Sequence, residues 1–476
     1  MFLRQISDPS LAQNAYLIGC QRSGEAIIID PERDVDRYLA LAAENGLRLT
    51  AVAETHIHAD YLSGARELVE RHGATAYLSV EGGPDWQFEW AKGHPNARFL
   101  HDGDTFKIGN IEFKALLTPG HTPEHLSFLV TDHGGGADEP LALLSGDFIF
   151  VGDVGRPDLL ESAAGQIGAR EPAARTLYAS LRRTHELPGH LQILPAHGAG
   201  SACGKALGSV PVSVLDYERR FNGALREALQ GSESDFVKGI LSGQPEPPLY
   251  FARMKRDNRR GPALLPDGHV PVPTRIDPTG LHSWIGSPKR VILDLRKDRA
   301  AFMSRHLPGS LFTPLPSGKL PVAAGSYVEE DAEILLLAHA DDEAEEATRQ
   351  LLRIGLDHVR GWLPVDEALS NDSLVATLPR ITTTELQDAL TASPEAEVLD
   401  VRGAEEFAAA HVAGAQHVAY TRLAEHLTEI SVDRPLYVHC GSGLRAALAV
   451  SFLAAQGRQA ILVDGDFDDI PGPVLA

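Results

Sequence analysis

The segment His56-Ile57-His58-Ala59-Asp60 closely follows an apolar stretch, residues 49–54, that predicts a β-strand. Three more segments stand at the ends of predicted strands: Thr118-Pro119-Gly120-His121, Gly146-Asp147 and Pro195-Ala196-His197-Gly198. Strand ends of this kind cluster at one edge of an αββα sandwich, where imidazole and carboxylate groups can converge on a cation. The sequence therefore predicts a layered α/β domain that carries a metal site.

Around these segments, short apolar runs alternate with helical patterns up to about residue 240. The predicted elements are strands at 26–30, 49–54, 126–131 and 141–144, helices at 36–45 and 63–72, and a hairpin over 106–117 that turns at Gly109-Asn110. Beyond residue 240, prolines dilute the apolar periodicity. We therefore predict one domain over residues 1–250 and, over 251–273, a linker packed against it.

Cys440 begins a second distinctive segment, Cys440-Gly441-Ser442-Gly443-Leu444-Arg445, between an apolar run and a helical pattern. A cysteine in such a turn faces free backbone N–H groups and the positive end of a helix, which stabilise a thiolate or a persulfide built on it. Arg445 adds a fixed cation. We predict that Cys440 and Arg445 are catalytic and that the four residues between them bind substrate.

The last two hundred residues contain an internal repeat. Ile292-Leu293-Asp294-Leu295-Arg296 recurs as Val398-Leu399-Asp400-Val401-Arg402, and residues 335–340 recur as 435–440. In the first copy the cysteine position holds Ala340, followed by three acidic residues, so that loop offers neither a nucleophile nor an anion pocket. We predict an inactive α/β domain over residues 274–375 and an active one over 376–476.

Composition and charge exclude several classes of protein. The formal net charge of -22 argues against nucleic acid or an anionic membrane as the main partner. The three cysteines contain no C-x-x-C pair and form no disulfide framework, which favours a reducing cytoplasm. We see no signal-peptide pattern, and no apolar run reaches the roughly 18 residues that a membrane span needs.

The repeat resembles the rhodanese (sulfurtransferase) family, whose domains carry an Asp-x-Arg strand end and a Cys-x4-Arg loop. Related phosphatases use a loop one residue longer, which makes a wider cradle for phosphate. The resemblance implies that Cys440 carries a persulfide and transfers its sulfane sulfur.

Residues 1 to about 250 resemble the metallo-β-lactamase fold. The segments 150–159 and 197–205 are similar to its persulfide dioxygenase branch, in which one ferrous ion is held by two histidines and an aspartate. On this chain the resemblance implies His56, His121 and Asp147 as metal ligands, with one Fe(II) per chain. It places four further side chains around those ligands: His58, Asp60, Tyr61 and His197.

Two residues near the predicted metal site have two interpretations each. In the dioxygenases an arginine at the position of Arg156 contacts the carboxylate end of the substrate; the alternative is a salt bridge with Asp153 or Asp158. Cys203 either accepts sulfane sulfur near the iron, as part of the substrate site, or packs behind the His197 loop. His125 stands close to His121, but the strand that begins there is expected to turn its ring away.

Tyr61 departs from the family pattern. Two-metal hydrolases of this fold, such as glyoxalase II, have a histidine there, and without it a second site would retain only Asp60, His197 and a bridging Asp147. We expect Tyr61 to form hydrogen bonds around the site rather than to ligate the metal.

The resemblance covers the whole chain and implies an α/β protein: an iron-dependent persulfide dioxygenase fused to a sulfurtransferase. Its substrates would be a small thiol persulfide, such as glutathione persulfide, and O2, and its product sulfite. Cys440 would then exchange sulfur with thiosulfate in either direction. We expect a cytoplasmic homo-oligomer. Two alternatives remain: a zinc thioester hydrolase with an accessory rhodanese domain, and a sulfurtransferase whose metal domain has decayed.

Overall fold

The computed structural model describes residues 1–162 and 165–471. The chain divides into two compact units, Met1–Val270 and a second unit that begins at Pro271. The last part of the domain predicted over 376–476, residues 472–476, lies outside the described residues. No helix within the described ranges is long and apolar enough to cross a membrane.

The first unit is built on two six-stranded sheets. Neighbouring strands of the first sheet follow chain order: β1 Phe2–Asp8, β2 Gln13–Cys20, β3 Glu25–Ile29, β4 Arg48–Ala53, β5 Thr75–Ser79 and β6 Ala97–Leu100. The second sheet contains β7 Thr105–Ile108, β8 Ile111–Leu117, β9 Leu126–Asp132, β10 Ala142–Gly146, β11 Gln192–Pro195 and β12 Ser213–Val214. β7 and β8 form the predicted hairpin, with Ile108 opposite Ile111.

Helices cover the outer faces of both sheets, which gives the predicted αββα order of layers. They are α1 Asp36–Glu44, α2 Ala65–His72, α3 Leu159–Ser162, α4 Arg170–Arg182, α5 Leu215–Phe221, α6 Gly223–Gln230, α7 Glu233–Leu241 and α8 Phe251–Arg260. Because side chains alternate along a strand, β2 sends Leu17 into the core under α1 and α2, and Ile18 into the core between the sheets. Leu143 of β10 enters a third core under α4 to α7.

The stretch predicted as a linker contains α8, which belongs to the first unit. Its buried residues Phe251, Met254 and Asn258 lie on one helical face. Asn258 Nδ2 donates to the backbone oxygens of His58 at 2.8 Å and Tyr61 at 2.7 Å. The helix therefore secures the loop that follows β4.

The second unit contains two parallel sheets with the same arrangement. The first has the order β14-β13-β15-β16, with β13 Arg290–Asp294, β14 Leu311–Phe312, β15 Glu333–Ala338 and β16 Val359–Pro364. The second has the order β17-β21-β20-β18-β19, with β17 Arg380–Thr382, β18 Glu397–Asp400, β19 Gln416–His417, β20 Leu436–His439 and β21 Ala460–Asp464. Apart from β17, the strands of the two sheets correspond one to one.

Helices follow the strands of both sheets. They are α9 Arg299–Ser304, α10 Leu320–Tyr327, α11 Asp341–Arg353, α12 Val365–Ala368, α13 Leu386–Ala392, α14 Ala404–Ala409 and α15 Leu444–Ala455. In the first copy Ala340 immediately precedes α11, whose first turn carries Asp341, Asp342 and Glu343. A first turn with three carboxylates repels anions, so this copy lacks the electrostatics of an anion site as well as the nucleophile.

Candidate functional site

The structure brings together the three predicted metal ligands His56, His121 and Asp147. One ligand atom from each lies within 4.8 Å of the other two, and all three residues are buried. His121 Nε2 is 3.3 Å from Asp147 Oδ2. His121 Nδ1 donates to the carbonyl oxygen of Arg156 at 3.0 Å, so Nδ1 carries the proton and Nε2 is free for a cation.

The chemistry of these residues fits a divalent cation. Both carboxylate oxygens of Asp147 are buried without a hydrogen-bond partner among the described residues, and an unpaired buried carboxylate is costly unless a cation lies beside it. Burial lowers the pKa of His56, and the neighbouring histidines lower it further. Burial also lowers the pKa of His121, although Asp147 acts in the opposite direction. Burial alone would raise the pKa of Asp147, but His197 and His121 hold it below its ordinary value. These directions favour neutral imidazoles and an ionised carboxylate, the forms that metal ligation requires.

Two glycines allow Asp147 to reach this position. Gly146, with φ of +52°, ends β10, and a Cβ there would lie 2.6 Å from His125 Nε2 and 2.7 Å from Thr55 Oγ1. A Cβ at Gly155 would overlap the backbone oxygen of Asp147. Close packing of backbone around Asp147 thus requires glycine at both positions.

Asp60, His197 and Cys203 form a second buried group whose ligand atoms also lie within 4.8 Å of one another. His197 Nε2 is 3.3 Å from Asp60 Oδ2 and 3.5 Å from Asp147 Oδ1. Asp60 Oδ2 and His197 Nε2 have no hydrogen-bond partner in the part of the chain that the structure describes. Asp147 therefore has one oxygen toward His121 and the other toward this second group.

His58 lies beside His56, with 4.2 Å between ring centroids, and Tyr61 lies next to His58. His58 Nε2 is 3.2 Å from Asp30 Oδ1 and 3.0 Å from Glu54 Oε2, while its Nδ1 is buried without a hydrogen-bond partner among the described residues. The Tyr61 ring stacks on His58 with 4.5 Å between centroids, and its hydroxyl donates to the Asp30 carbonyl at 3.2 Å. The Tyr61 hydroxyl thus forms hydrogen bonds beside His58, and its role around a metal stays a prediction.

The expectation that His125 turns away from the site is wrong. Its ring stacks on His56 with 5.1 Å between centroids, and its Nε2 accepts a hydrogen bond of 3.0 Å from Asp147 N. Thr118 Oγ1 lies 2.8 Å from its Nδ1. Burial is the main cause that lowers the pKa of His125 to about 3, so its Nε2 stays an acceptor that orients the Asp147 backbone. The spacing of four residues from His121 was the only available sequence signal.

Glu54 and Asp30 were also missed by the sequence reasoning. Both are fully buried beside His58. Burial raises the pKa of Glu54 to about 7 despite its interaction with His58. A carboxylate at the end of an otherwise apolar strand is the signal that could have identified each of them, because such a residue needs a buried partner.

Arg156 forms one of the two salt bridges considered for it. Its guanidinium donates to Asp158 Oδ1 at 2.9 Å and to Asp158 Oδ2 at 2.6 Å, and a third bond of 2.9 Å reaches the carbonyl of Ala202. Arg156 is 1% exposed and ties the segment after Asp147 to the loop that carries Cys203. Contact with a substrate stays a prediction for Arg156 and for Cys203.

The loop at Cys440 connects β20 to α15. Gly443, with φ of +88°, precedes the helix, and its N–H donates to Cys440 Sγ at 3.1 Å. The predicted backbone donor to the sulfur is therefore present, and Cys440 is buried at the bottom of the loop. The positive φ of Gly443 favours glycine at this position, and a Cβ there would also lie 2.7 Å from Asp464 Oδ1 and 2.9 Å from Arg299 Nη2.

Arg445 closes the loop through a two-pronged ion pair with Glu406, at 2.6 and 2.7 Å. A carboxylate so placed fixes the guanidinium and raises its pKa. Burial raises the pKa of Tyr420 to about 12. The charge of Arg445 lowers this pKa and that of Cys440 raises it, so the phenol interacts electrostatically with both ends of the cysteine loop. His439 is fully buried, as expected of a core residue.

Comparison with known families agrees with this architecture. Residues 9–198 match the metallo-β-lactamase superfamily, and residues 382–470 match the rhodanese-like domain. A metallo-β-lactamase from Staphylococcus aureus subsp. aureus COL is 38% identical in sequence, with a TM-score of 0.66 over 76% of this chain and 99% of that one.

Two relatives with different names share the N-terminal half. Persulfide dioxygenase ETHE1, mitochondrial, of Bos taurus is 30% identical over 245 residues, which are 50% of this chain and 80% of the relative. A hydroxyacylglutathione hydrolase of Xanthomonas axonopodis pv. citri (strain 306) is 30% identical over 195 residues, 41% of this chain and 65% of the relative. Because this chain is 30% identical to both relatives, sequence identity does not distinguish the two activities that their names describe. The side chains of the site are therefore the better guide to the chemistry.

Proposed function

The chain belongs to the metallo-β-lactamase superfamily and carries a C-terminal rhodanese-like domain, and we propose that it oxidises a small thiol persulfide to sulfite with O2. In this proposal one Fe(II) per chain is held by His56, His121 and Asp147. The sulfane sulfur of a second persulfide passes through Cys440 to or from thiosulfate.

The observation that carries the proposal is the set of side chains that converge. Two imidazoles and one carboxylate come within 4.8 Å of each other. Two histidines and one carboxylate are the ligands that non-haem iron oxygenases use to bind substrate and O2 side by side. The arrangement therefore supports oxygen chemistry.

The residues of the chain prepare this centre for a redox reaction. Bound Fe(II) would supply the electron transfer that lets O2 react with a closed-shell persulfide. Arg156 O fixes the ring of His121, and His125 fixes the backbone of Asp147, so both ligands are oriented by residues behind them. Burial of all three ligands limits competing water.

The overall reaction balances without a further co-reactant. The persulfide RSSH, O2 and water give the thiol RSH, sulfite and two protons. In the second step the Cys440 thiolate attacks the outer sulfur of another RSSH and releases RS⁻; sulfite then takes that sulfur from Cys440 as thiosulfate. The Gly443 N–H, 3.1 Å from Sγ, stabilises the thiolate that each cycle regenerates.

We assign the dioxygenase to residues 1–250, with the segment 251–273 packed on it, the inactive rhodanese-like domain to 274–375 and the active one to 376–476. The matching strand orders of the two sheets in the second unit support the inactive copy. A cytoplasmic location and a homo-oligomeric assembly complete the proposal.

The deciding experiment is O2 uptake with glutathione persulfide on protein of known iron and zinc content. Uptake and sulfite release should scale with iron up to about one iron per chain, and the Asp147→Asn variant should lose both because a ligand is removed. His185→Asn is the matched control, since this residue lies in a surface turn after α4. Uptake that does not depend on iron would overturn the proposal.

A second candidate, a zinc thioester hydrolase, is favoured by one specific observation. Asp60 Oδ2 and His197 Nε2 are buried, unpaired within the described residues, and turned toward Asp147 Oδ1, as a second metal position would need. This candidate predicts two zinc ions per chain and hydrolysis of S-lactoylglutathione without O2 uptake. Assay of the zinc-loaded protein with that thioester separates the two functions.

A further inference from the structure

The first copy of the repeat packs against the helix that follows the cysteine loop of the second copy. Phe312 N of β14 donates to Ser451 Oγ of α15 at 3.0 Å. Tyr327, the last residue of α10, stacks on Phe452 of α15 with 4.3 Å between ring centroids, and its hydroxyl donates to the carbonyl of Tyr420 at 2.8 Å. Residues at the start of α10 are therefore held near the region where α15 begins.

Lys319 immediately precedes α10 and is partly buried. Burial, followed by the charge of Arg445, lowers the pKa of Lys319, and no carboxylate opposes this change. The ammonium group forms no ion pair within the described residues. A lysine is rarely withdrawn from water without a partner of opposite charge, so this cation beside the cysteine loop is suited to an anionic ligand.

Two other cations near the loop already have carboxylate partners. Arg445 forms its two-pronged ion pair with Glu406, at 2.6 and 2.7 Å. Arg299 of the first copy lies against the loop and pairs with Asp464 at 2.7 Å. Of these three cations, Lys319 is the one whose charge no carboxylate balances in the part of the chain that the structure describes.

Exchange of sulfur with thiosulfate requires such a cation more than exchange with a thiol persulfide does. When the Cys440 thiolate attacks the outer sulfur of thiosulfate, its electron pair forms the new S–S bond, and the old S–S pair leaves with sulfite, a dianion. In the reverse direction sulfite attacks the outer sulfur of the Cys440 persulfide, and the thiolate is regenerated. Both directions bring two anions together at a buried sulfur, and a cation beside them lowers the barrier.

We infer that Lys319 of the inactive copy binds the oxygen atoms of thiosulfate or sulfite while the reacting sulfur lies at Cys440. The inference rests on the proposed function of Cys440 and deepens it, because it makes an inorganic sulfur oxyanion a substrate that this site recognises directly. The copy whose own loop has lost the cysteine then contributes a substrate-binding residue to the active copy.

The test compares two donors that leave the same persulfide on Cys440 of the full-length protein. Rapid quenching and mass spectrometry of the Cys440 peptide measure the rate of sulfur uptake from thiosulfate and from glutathione persulfide, over a range of donor concentrations. Lys319→Gln should lower the second-order rate constant for thiosulfate by about tenfold, the scale of one hydrogen bond to a charged group. The rate constant for glutathione persulfide should change by less than about twofold, since its leaving group is a thiolate with a single charge at the reacting sulfur.

Three further variants separate charge from packing. Lys319→Met retains the aliphatic stem and should show the same selective loss, which covers the case in which Lys319→Gln does not fold. Lys319→Arg retains the charge and should keep the rate constant for thiosulfate within about threefold of the wild type. Lys289→Gln is the matched control: this exposed lysine of the same copy pairs with Asp331 at 3.2 Å, and its loss should leave both rate constants unchanged.

Several results would overturn the inference and leave transfer from thiol persulfides intact. They are an unchanged rate with thiosulfate in Lys319→Gln and Lys319→Met, equal slowing with both donors in these variants, and a loss in Lys319→Arg as large as that in Lys319→Gln. A wild-type Cys440 that takes sulfur from glutathione persulfide but not from thiosulfate would have the same consequence. Uptake from neither donor would instead refute the proposed function of Cys440, and the inference with it.

Discussion

At the scale of single residues, protonation states decide whether the candidate centre can hold a metal. Neutral imidazoles and an ionised carboxylate are the ligating forms, and protons compete with the cation for all of them. In His56 and His121, burial moves the pKa in the direction that favours the metal. In Asp147, burial acts in the opposite direction and the neighbouring histidines overcome it.

We therefore predict that the protein keeps its metal in mild acid. An ordinary histidine has a pKa near 6.5, so exposed imidazole ligands would protonate as the pH falls through about 6. Because the pKa values of His56 and His121 lie below that of a free imidazole, their protonation begins at lower pH. Metal content after dialysis at about pH 6 should equal that at about pH 7.5. A loss of half or more of the metal at about pH 6 would contradict this prediction.

At the scale of elements, strand ends position the ligands, and glycine makes the last step possible. β10 ends at Gly146 with φ of +52°, and the next residue is Asp147. The positions of these ends follow from sequence, because buried strands carry long apolar runs and polar residues mark where they stop. The His-x-His-x-Asp segment and His121, Asp147 and His197 could for this reason be predicted without a structure.

Side-chain direction is the part that the sequence did not reveal. The direction of His58 Nε2 depends on Asp30, which belongs to another strand end, and on Glu54. His125 was misjudged for the same reason, since its direction is set by contacts with Thr118 and Asp147. α8 was missed because its pattern is narrow: one buried face in a segment that is otherwise charged.

We predict that Gly146→Ala destabilises the first unit and removes its metal. The left-handed backbone at residue 146 lowers the free energy of unfolding by about 1 kcal/mol when alanine occupies it. Overlap of the alanine Cβ with His125 and Thr55 lowers it by about 1–3 kcal/mol more. Gly73→Ala is the matched control: its φ of +68° is similar, and no atom of the described chain lies within 4 Å of its Cβ position. Urea unfolding with metal analysis should show the larger loss for Gly146→Ala; equal losses would exclude the steric argument.

At the scale of the whole molecule, two chemical centres occupy two compact units, and the repeat in the second unit supports the cysteine loop. Arg299 of the first copy pairs with Asp464 at 2.7 Å and lies against Gly443 of the loop. Tyr327 of the first copy donates to the carbonyl of Tyr420 at 2.8 Å. A copy without a nucleophile therefore still holds residues around Cys440.

We predict that the two activities can be separated by single substitutions. Cys440→Ser should abolish formation of thiosulfate from sulfite and persulfide, because the nucleophile is lost, and should leave the initial rate of O2 uptake unchanged, because the ligands lie in the other unit. Asp147→Asn should have the opposite effect. Cys20→Ser controls for the number of thiols, since this residue is buried in the core between the sheets. Rates of O2 uptake and thiosulfate formation, measured on the same preparations, test this prediction.

If Cys440→Ser slowed both to the same extent, sulfur would have to pass through Cys440 before oxidation, and the rhodanese-like domain would supply the persulfide rather than consume it.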